Sequence, residues 1–146
     1  MIARDRWIRW DRVKRNGKLE KVPFTTVGSY ASSTNANTWS TFTEASASAV
    51  GVGLGYVLGD GIGCIDLDHC LSSGNPNKAA AKFLQDYPHH FIEVSPSGEG
   101  LHIWGQQKEQ GGRRQTIGGL SIEHYSVGRY MTITGNVYQN GELLPL

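Results

Sequence analysis

The sequence predicts an α+β fold in which helices pack on a mostly antiparallel sheet, and three observations carry that prediction. Short strand-forming runs recur between residues 7 and 134, tight turn signals separate them, and just two segments have helical spacing. At 146 residues the chain is expected to be one domain, 1–146, with room for a real core and none for a separate recognition domain.

Trp7 to Lys14 is rich in strand formers, and Asn16-Gly17 is the two-residue signal for a type I′ hairpin into Leu19 to Phe24. Residues 28–37 read as a polar loop. Thr38 to Ala49 then reads as a helix with Trp39, Phe42 and Ala45 on one face, and Thr41 with Glu44 has the spacing of a capping box. Val52 to Leu58 is an apolar run that Gly59-Asp60-Gly61 turns into a second run ending at Asp68, so these two strands are expected to be sheet neighbours. Asn77 to Tyr87 is the clearest helix, stopped at Pro88. Phe91 to Val94 and Leu101 to Gly105 read as strands around a tight Ser95 to Gly100 loop. Gly111-Gly112 and Gly118-Gly119 frame another strand, followed by Ser121 to Tyr125 and Arg129 to Thr134. Gly135 to Leu146 reads as a trailing strand or tail, and the ending Leu-Leu-Pro-Leu suggests a piece of a longer polypeptide.

Fourteen Lys and Arg against thirteen Asp and Glu leave a net charge of +1, which argues against a passive nucleic-acid coat protein. The basic residues are clustered instead. Arg4, Arg6, Arg9, Arg12, Lys14, Arg15, Lys18 and Lys21 crowd the first 21 positions, and Lys108, Arg113 and Arg114 form a second group. Cys64 and Cys70 are the only cysteines and make no disulfide framework, which fits a reducing cytoplasm; Cys64 reads as a buried small apolar residue. No CxxC or HxxxH spacing supports a zinc site from Cys70 with His69, His89 or His90. No run of about 20 apolar residues is present, so no membrane partner is expected.

The run Gly-Ile-Gly-Cys-Ile-Asp-Leu-Asp puts Asp66 and Asp68 at positions i and i+2 of a strand end, where their side chains share a face. Two like charges held so close favour a shared proton or a cation, and Mg²⁺ or Mn²⁺ suits oxygen ligands that also meet phosphate. An Asp that merely caps the next loop accounts for one acid but poorly for two.

Ser95-Pro-Ser-Gly-Glu-Gly-Leu-His102 joins two strands through a glycine-rich turn, whose backbone N–H groups can form an anion nest. Ser95 and Ser97 would add hydroxyls, Gly98 its backbone, and His102 a ring donor to a phosphate oxygen. Glu99 at the loop tip opposes anion binding unless it faces solvent. Glu123, between Ile122 and the aromatic Tyr125, is a candidate third acid, and Arg129 a candidate for bidentate phosphate contact. The structural alternatives are a plain hairpin turn, an exposed sheet acid and a surface arginine.

Taken in order, Ile-Asp-Leu-Asp (65–68), Ser-Pro-Ser-Gly-Glu-Gly-Leu-His (95–102), Ile-Glu-His-Tyr (122–125) and Gly-Arg-Tyr-Met-Thr-Ile-Thr-Gly (128–135) resemble the archaeo-eukaryotic primase superfamily. The likeness is to the primase-polymerase domains at the N-terminus of phage and plasmid replication proteins, and it covers roughly residues 7 to 135. Glu99 departs from the Lys or Arg that such proteins often carry there. The resemblance implies an RRM-like primase core and a template-dependent nucleotidyltransferase, a DNA primase/DNA polymerase that makes or extends primers. Asp66, Asp68 and Glu123 would then be catalytic and hold two Mg²⁺ or Mn²⁺ ions. Ser95, Ser97, Gly98, His102, Arg129 and Lys21 would bind the dNTP or NTP. Single-stranded DNA template and primer are the expected partners, with a helicase or helical domain in the same chain or separate. The expected location is the bacterial host cytoplasm. Two rival functions use the same features: a non-catalytic RRM-like nucleic-acid-binding module and a metal-dependent nuclease.

Overall fold

The computed structural model describes residues 1–146. In chain order the elements are β1 (Trp7–Arg15), β2 (Lys18–Phe24), a 3₁₀ turn (Ala36–Thr38), α1 (Phe42–Ala47), β3 (Gly53–Val57), β4 (Ile62–Asp68), β5 (Leu71–Ser72), β6 (Asn75–Pro76), α2 (Lys78–Leu84), β7 (Phe91–Val94), β8 (Leu101–Gln106), β9 (Arg113–Ile117), β10 (Leu120–Tyr125), β11 (Tyr130–Ile133) and β12 (Val137–Gln139). Every pairing between these strands is antiparallel. The chain divides into two compact units, Met1–Leu58 with Gly128–Ile133, and Gly59–Val127 with Thr134–Leu146.

The first unit holds the sheet β11-β3-β1-β2. Its opening hairpin turns on Asn16 (φ 49°) and Gly17 (φ 79°), the pair of positive φ values that a type I′ turn demands. Helix α1 starts where the capping box closes: the Thr41 hydroxyl accepts from Glu44 N at 3.1 Å, and Thr41 N donates to Glu44 Oε2 at 2.9 Å. The helix is shorter than Thr38 to Ala49 because Ser40 exchanges backbone hydrogen bonds with Trp7 of β1, at 3.0 and 2.8 Å, which holds the preceding residues extended. Two arginines of the first basic cluster are spent on this scaffold. Arg6 donates to the carbonyls of Val57 and Leu58, and Arg9 to that of Val50 at 2.6 Å. Lys14, Lys18 and Lys21 remain exposed.

The second unit is built on the sheet β12-β7-β8-β4-β10-β9, beside the small β5-β6 pair. Alternation sends Ile65 and Leu67 of β4 to one face, where they join Ile92, Leu101, Ile103, Leu120 and Ile122 in the core. Helix α2 covers that face through buried Ala80 and the flanking Ala79, Phe83 and Leu84. Asn77 caps it by accepting from Ala80 N at 2.9 Å. Regular helix ends at Leu84, and i→i−3 bonds carry the chain on to Tyr87, just before Pro88.

Contrary to the expectation of neighbouring strands, β3 and β4 belong to different sheets. Both edges of β3 are taken by β1 and β11, and both edges of β4 by β8 and β10. Consecutive positive φ values at Gly59, Asp60 and Gly61 redirect the chain between them.

Candidate metal and nucleotide site

The face of the second sheet opposite α2 carries a transverse row of ionisable side chains. Register places Glu93 of β7 opposite His102 of β8, His102 opposite Asp66 of β4, Asp66 opposite Glu123 of β10, and Glu123 opposite Arg114 of β9. Directly opposed residues share a face, with Cβ atoms about 5 Å apart. Asp68 is the next same-face position on β4, opposite Ser121. Asp66, Asp68 and Glu123 therefore converge: one carboxylate oxygen from each lies within 4.8 Å of the others. Glu123 is buried, while the two aspartates are partly exposed. Three acids gathered this tightly, with one out of water, offer the hard oxygen donors that a divalent metal takes.

Glu123 and Asp66 are met by neighbouring side chains. Tyr125 donates its hydroxyl to Glu123 Oε2 at 2.6 Å, and the Arg114 guanidinium meets Glu123 Oε1. The Glu123 carboxylate in turn raises the pKa of Arg114. His102 is buried, with Nε2 3.7 Å from Asp66 Oδ1 and Nδ1 3.3 Å from Glu93 Oε1.

Sequence reasoning missed Glu93. The only available signal is an acid inside the apolar strand Phe-Ile-Glu-Val, two residues before the Ser95 to Gly100 turn that leads to His102. Tyr125, an aromatic neighbour of Glu123 in the sequence, is in the fold its hydrogen-bond donor.

In the Ser95 to Gly100 loop, several of the expected anion donors are engaged internally. Gly98 N donates to Ser95 O at 2.9 Å, Glu99 N to Ser97 Oγ at 3.2 Å and Gly100 N to Ser95 Oγ at 3.2 Å. The two hydroxyls share one hydrogen bond of 3.1 Å, which leaves one hydroxyl proton of the pair for a ligand. Gly98, at φ 79°, thus shapes the turn. The loop also anchors the end of β4: Cys70 N and Leu71 N both donate to Glu99 O at 2.8 Å, and the Glu99 carboxylate meets His69 Nδ1 at 3.2 Å.

Arg129 and Lys21 belong to the first unit, where both are exposed. Cys70 is buried, its thiol 3.6 Å from Leu67 O and pushed up to about 11, first by burial and then by Asp66 and Asp68. Burial, with Asp66 and Glu93 nearby, likewise raises the Cys64 thiol. Both are poor thiolate ligands, which agrees with reading Cys64 as a small apolar residue.

Fold and site together define an antiparallel α+β protein whose sheet face opposite α2 presents a carboxylate triad suited to a divalent metal. No protein-family model matches the chain. It is 36% identical over 142 residues to the DNA Primase-polymerase of Nitratiruptor phage NrS-1, a match that covers 90% of this chain and 19% of the phage protein. The chain thus spans about a fifth of the length of that relative, and the likeness supports a primase-polymerase relationship. No helix is long and apolar enough to cross a membrane.

Proposed function

We propose that this chain is the nucleotidyltransferase core of a DNA primase-polymerase, an RRM-like primase fold acting in phage or plasmid replication. The observation that carries this reading is the convergence of Asp66, Asp68 and Glu123 in one row with His102, in a chain similar to a phage DNA primase-polymerase. The three carboxylates would hold two Mg²⁺ or Mn²⁺ ions, which in such sites activate a primer 3′-hydroxyl and stabilise charge on the transferred phosphoryl group. His102 Nε2, directed toward Asp66, suits a triphosphate oxygen of the incoming dNTP or NTP. Ser95 and Ser97 would add their spare hydroxyl proton, and Gly98 the turn that places them. Arg129 and Lys21 would contribute positive charge, and Lys14 and Lys18 with the Lys108 to Arg114 segment would contact the template backbone. The expected setting is a host cytoplasm.

The arrangement fits a passive RRM-like module less well. Such modules stack bases on exposed aromatics of the central strands. Here the central positions are acids and His102, and Trp104, the aromatic on β8, is wholly buried. A nuclease would use similar acids, with less need for a histidine aimed at a triphosphate.

The test is dNTP incorporation on a primed single-stranded template with Mn²⁺, comparing the protein with its Asp66→Ala/Asp68→Ala variant. Loss of incorporation supports the reading, and undiminished activity overturns it. Cleavage of the primer-template without nucleotide would favour the nuclease.

A further inference from the structure

We infer that Glu93 is the positioning residue for His102, fixing the ring so that its Nδ1 carries a proton and Nε2 alone meets the acid row and a nucleotide phosphate. The phosphate part of this inference rests on the function proposed above; the tautomer part does not.

Glu93 is 0% exposed, the most deeply buried acid of the row. A carboxylate stripped of water is costly unless hydrogen bonds replace it. Four N–H donors do so here. Oε1 receives His102 Nδ1 at 3.3 Å and Trp104 Nε1 at 3.3 Å. Oε2 receives Thr134 N at 3.1 Å and Gly135 N at 3.1 Å, while the Thr134 hydroxyl, 3.2 Å away, gives its proton to Val94 O at 2.7 Å. With N–H groups on both of its oxygens the Glu93 carboxylate acts as an acceptor, so the ring nitrogen facing it carries the N–H, and His102, 2% exposed, is shielded from bulk solvent. The Oε2 side is tied to the backbone at Thr134 and Gly135, so the carboxylate is a fixed post against which the imidazole is oriented. A buried acid behind a ligand-facing histidine fixes tautomer and direction in the same way at metal centres.

The four N–H donors make Glu93→Gln diagnostic. An amide has one acceptor oxygen, and N–H groups face both ends of the site. The two backbone N–H groups of Thr134 and Gly135, fixed by the chain, hold the oxygen there. The NH₂ then faces His102 Nδ1 and moves the ring proton to Nε2. A residue that served packing alone would not exchange the tautomer.

The experiment is ¹⁵N NMR of imidazole-labelled protein, with the His102 signals assigned by their loss in His102→Gln, together with dATP titration in Mn²⁺. Expected are a protonated Nδ1 in the unaltered protein and a pyridine-like Nδ1 in Glu93→Gln. The dATP dissociation constant should rise about 10-fold in Glu93→Gln. The same substitution in a His102→Gln background should add no further loss, the signature of two residues acting as one. A pyridine-like Nδ1 in the unaltered protein would overturn the inference, as would an equal loss of dATP binding in both backgrounds. If Glu93→Gln fails to fold, the spectrum of the unaltered protein decides by itself. A protein that binds no dATP at all would refute the nucleotide reading, while the nitrogen signals would still decide what Glu93 does.

Discussion

Tyr125 donates its hydroxyl to Glu123 Oε2 at 2.6 Å across two positions of the same strand. The pair points to the face that carries Asp66, so Tyr125 fixes the one buried acid of the triad from the side. Removing that hydroxyl while keeping the ring leaves packing intact and lets the carboxylate turn. Tyr125→Phe should weaken Mn²⁺ binding about 10-fold, as loss of a hydrogen bond behind a ligand usually does. Isothermal titration with Mn²⁺ reads this directly, and an unchanged affinity would show that Glu123 needs no such support.

Lys108, Arg113 and Arg114 belong to the second unit, where Arg114 stands opposite Glu123 and Lys108 lines a cleft with Arg113. If they neutralise template phosphates, each contributes about 0.7 to the slope of log affinity against log salt on single-stranded DNA. The triple alanine variant should lower that slope by about 2 in fluorescence anisotropy across a salt series. A slope that stays put would remove this segment from the template path.

Ile103 is wholly buried in the core on the α2 side of β8, flanked by β4 and β7, and supports the strand that presents His102. Ile103→Ala should cost about 2–5 kcal/mol, the range for emptying a well-packed aliphatic position. Urea denaturation followed by tryptophan fluorescence would measure it. A loss below 1 kcal/mol would mean that the core collapses around the gap.

Cys70 gives a pH dependence with a definite sign. Its thiol stands at about 11 in the fold, against 9.0 when free. Because the folded value is the higher one, this contribution is fully present below about pH 9 and is lost as pH rises from 9 toward 11. Cys70→Ala should flatten the decline in stability over that window. At pH 8 the folded thiol should also react with iodoacetamide about 100-fold more slowly than in urea, as two pKa units imply. Equal rates would contradict its burial.

Local signals in the sequence were read well because their physics is local. The Asn16-Gly17 turn, the Thr41–Glu44 box and the shared face of Asp66 and Asp68 each depend on residues a few positions apart. What escaped was pairing. That β3 and β4 part into separate sheets, that Glu93 stands behind His102, and that Arg114 meets Glu123 all depend on which strand lies beside which. Those choices come from burial summed over a whole face, and no short window contains it. The Ser95 to Gly100 loop was located correctly, yet its backbone donors turn inward, because serine hydroxyls in a tight turn compete for the nearest N–H groups.

The alternation along β4 reaches beyond chemistry. Were this strand to slide by one residue against β8 and β10, Asp66 and Asp68 would be driven under α2 among leucine and isoleucine, while Ile65 and Leu67 would be turned to the polar face beside His102 and Glu123. Two desolvated charges would penalise that misalignment far more than the loss of apolar burial alone. The acids proposed to handle nucleotides thus also act as a proofreading mark during folding, rejecting the nearest wrong alignment of the central strand before any substrate arrives.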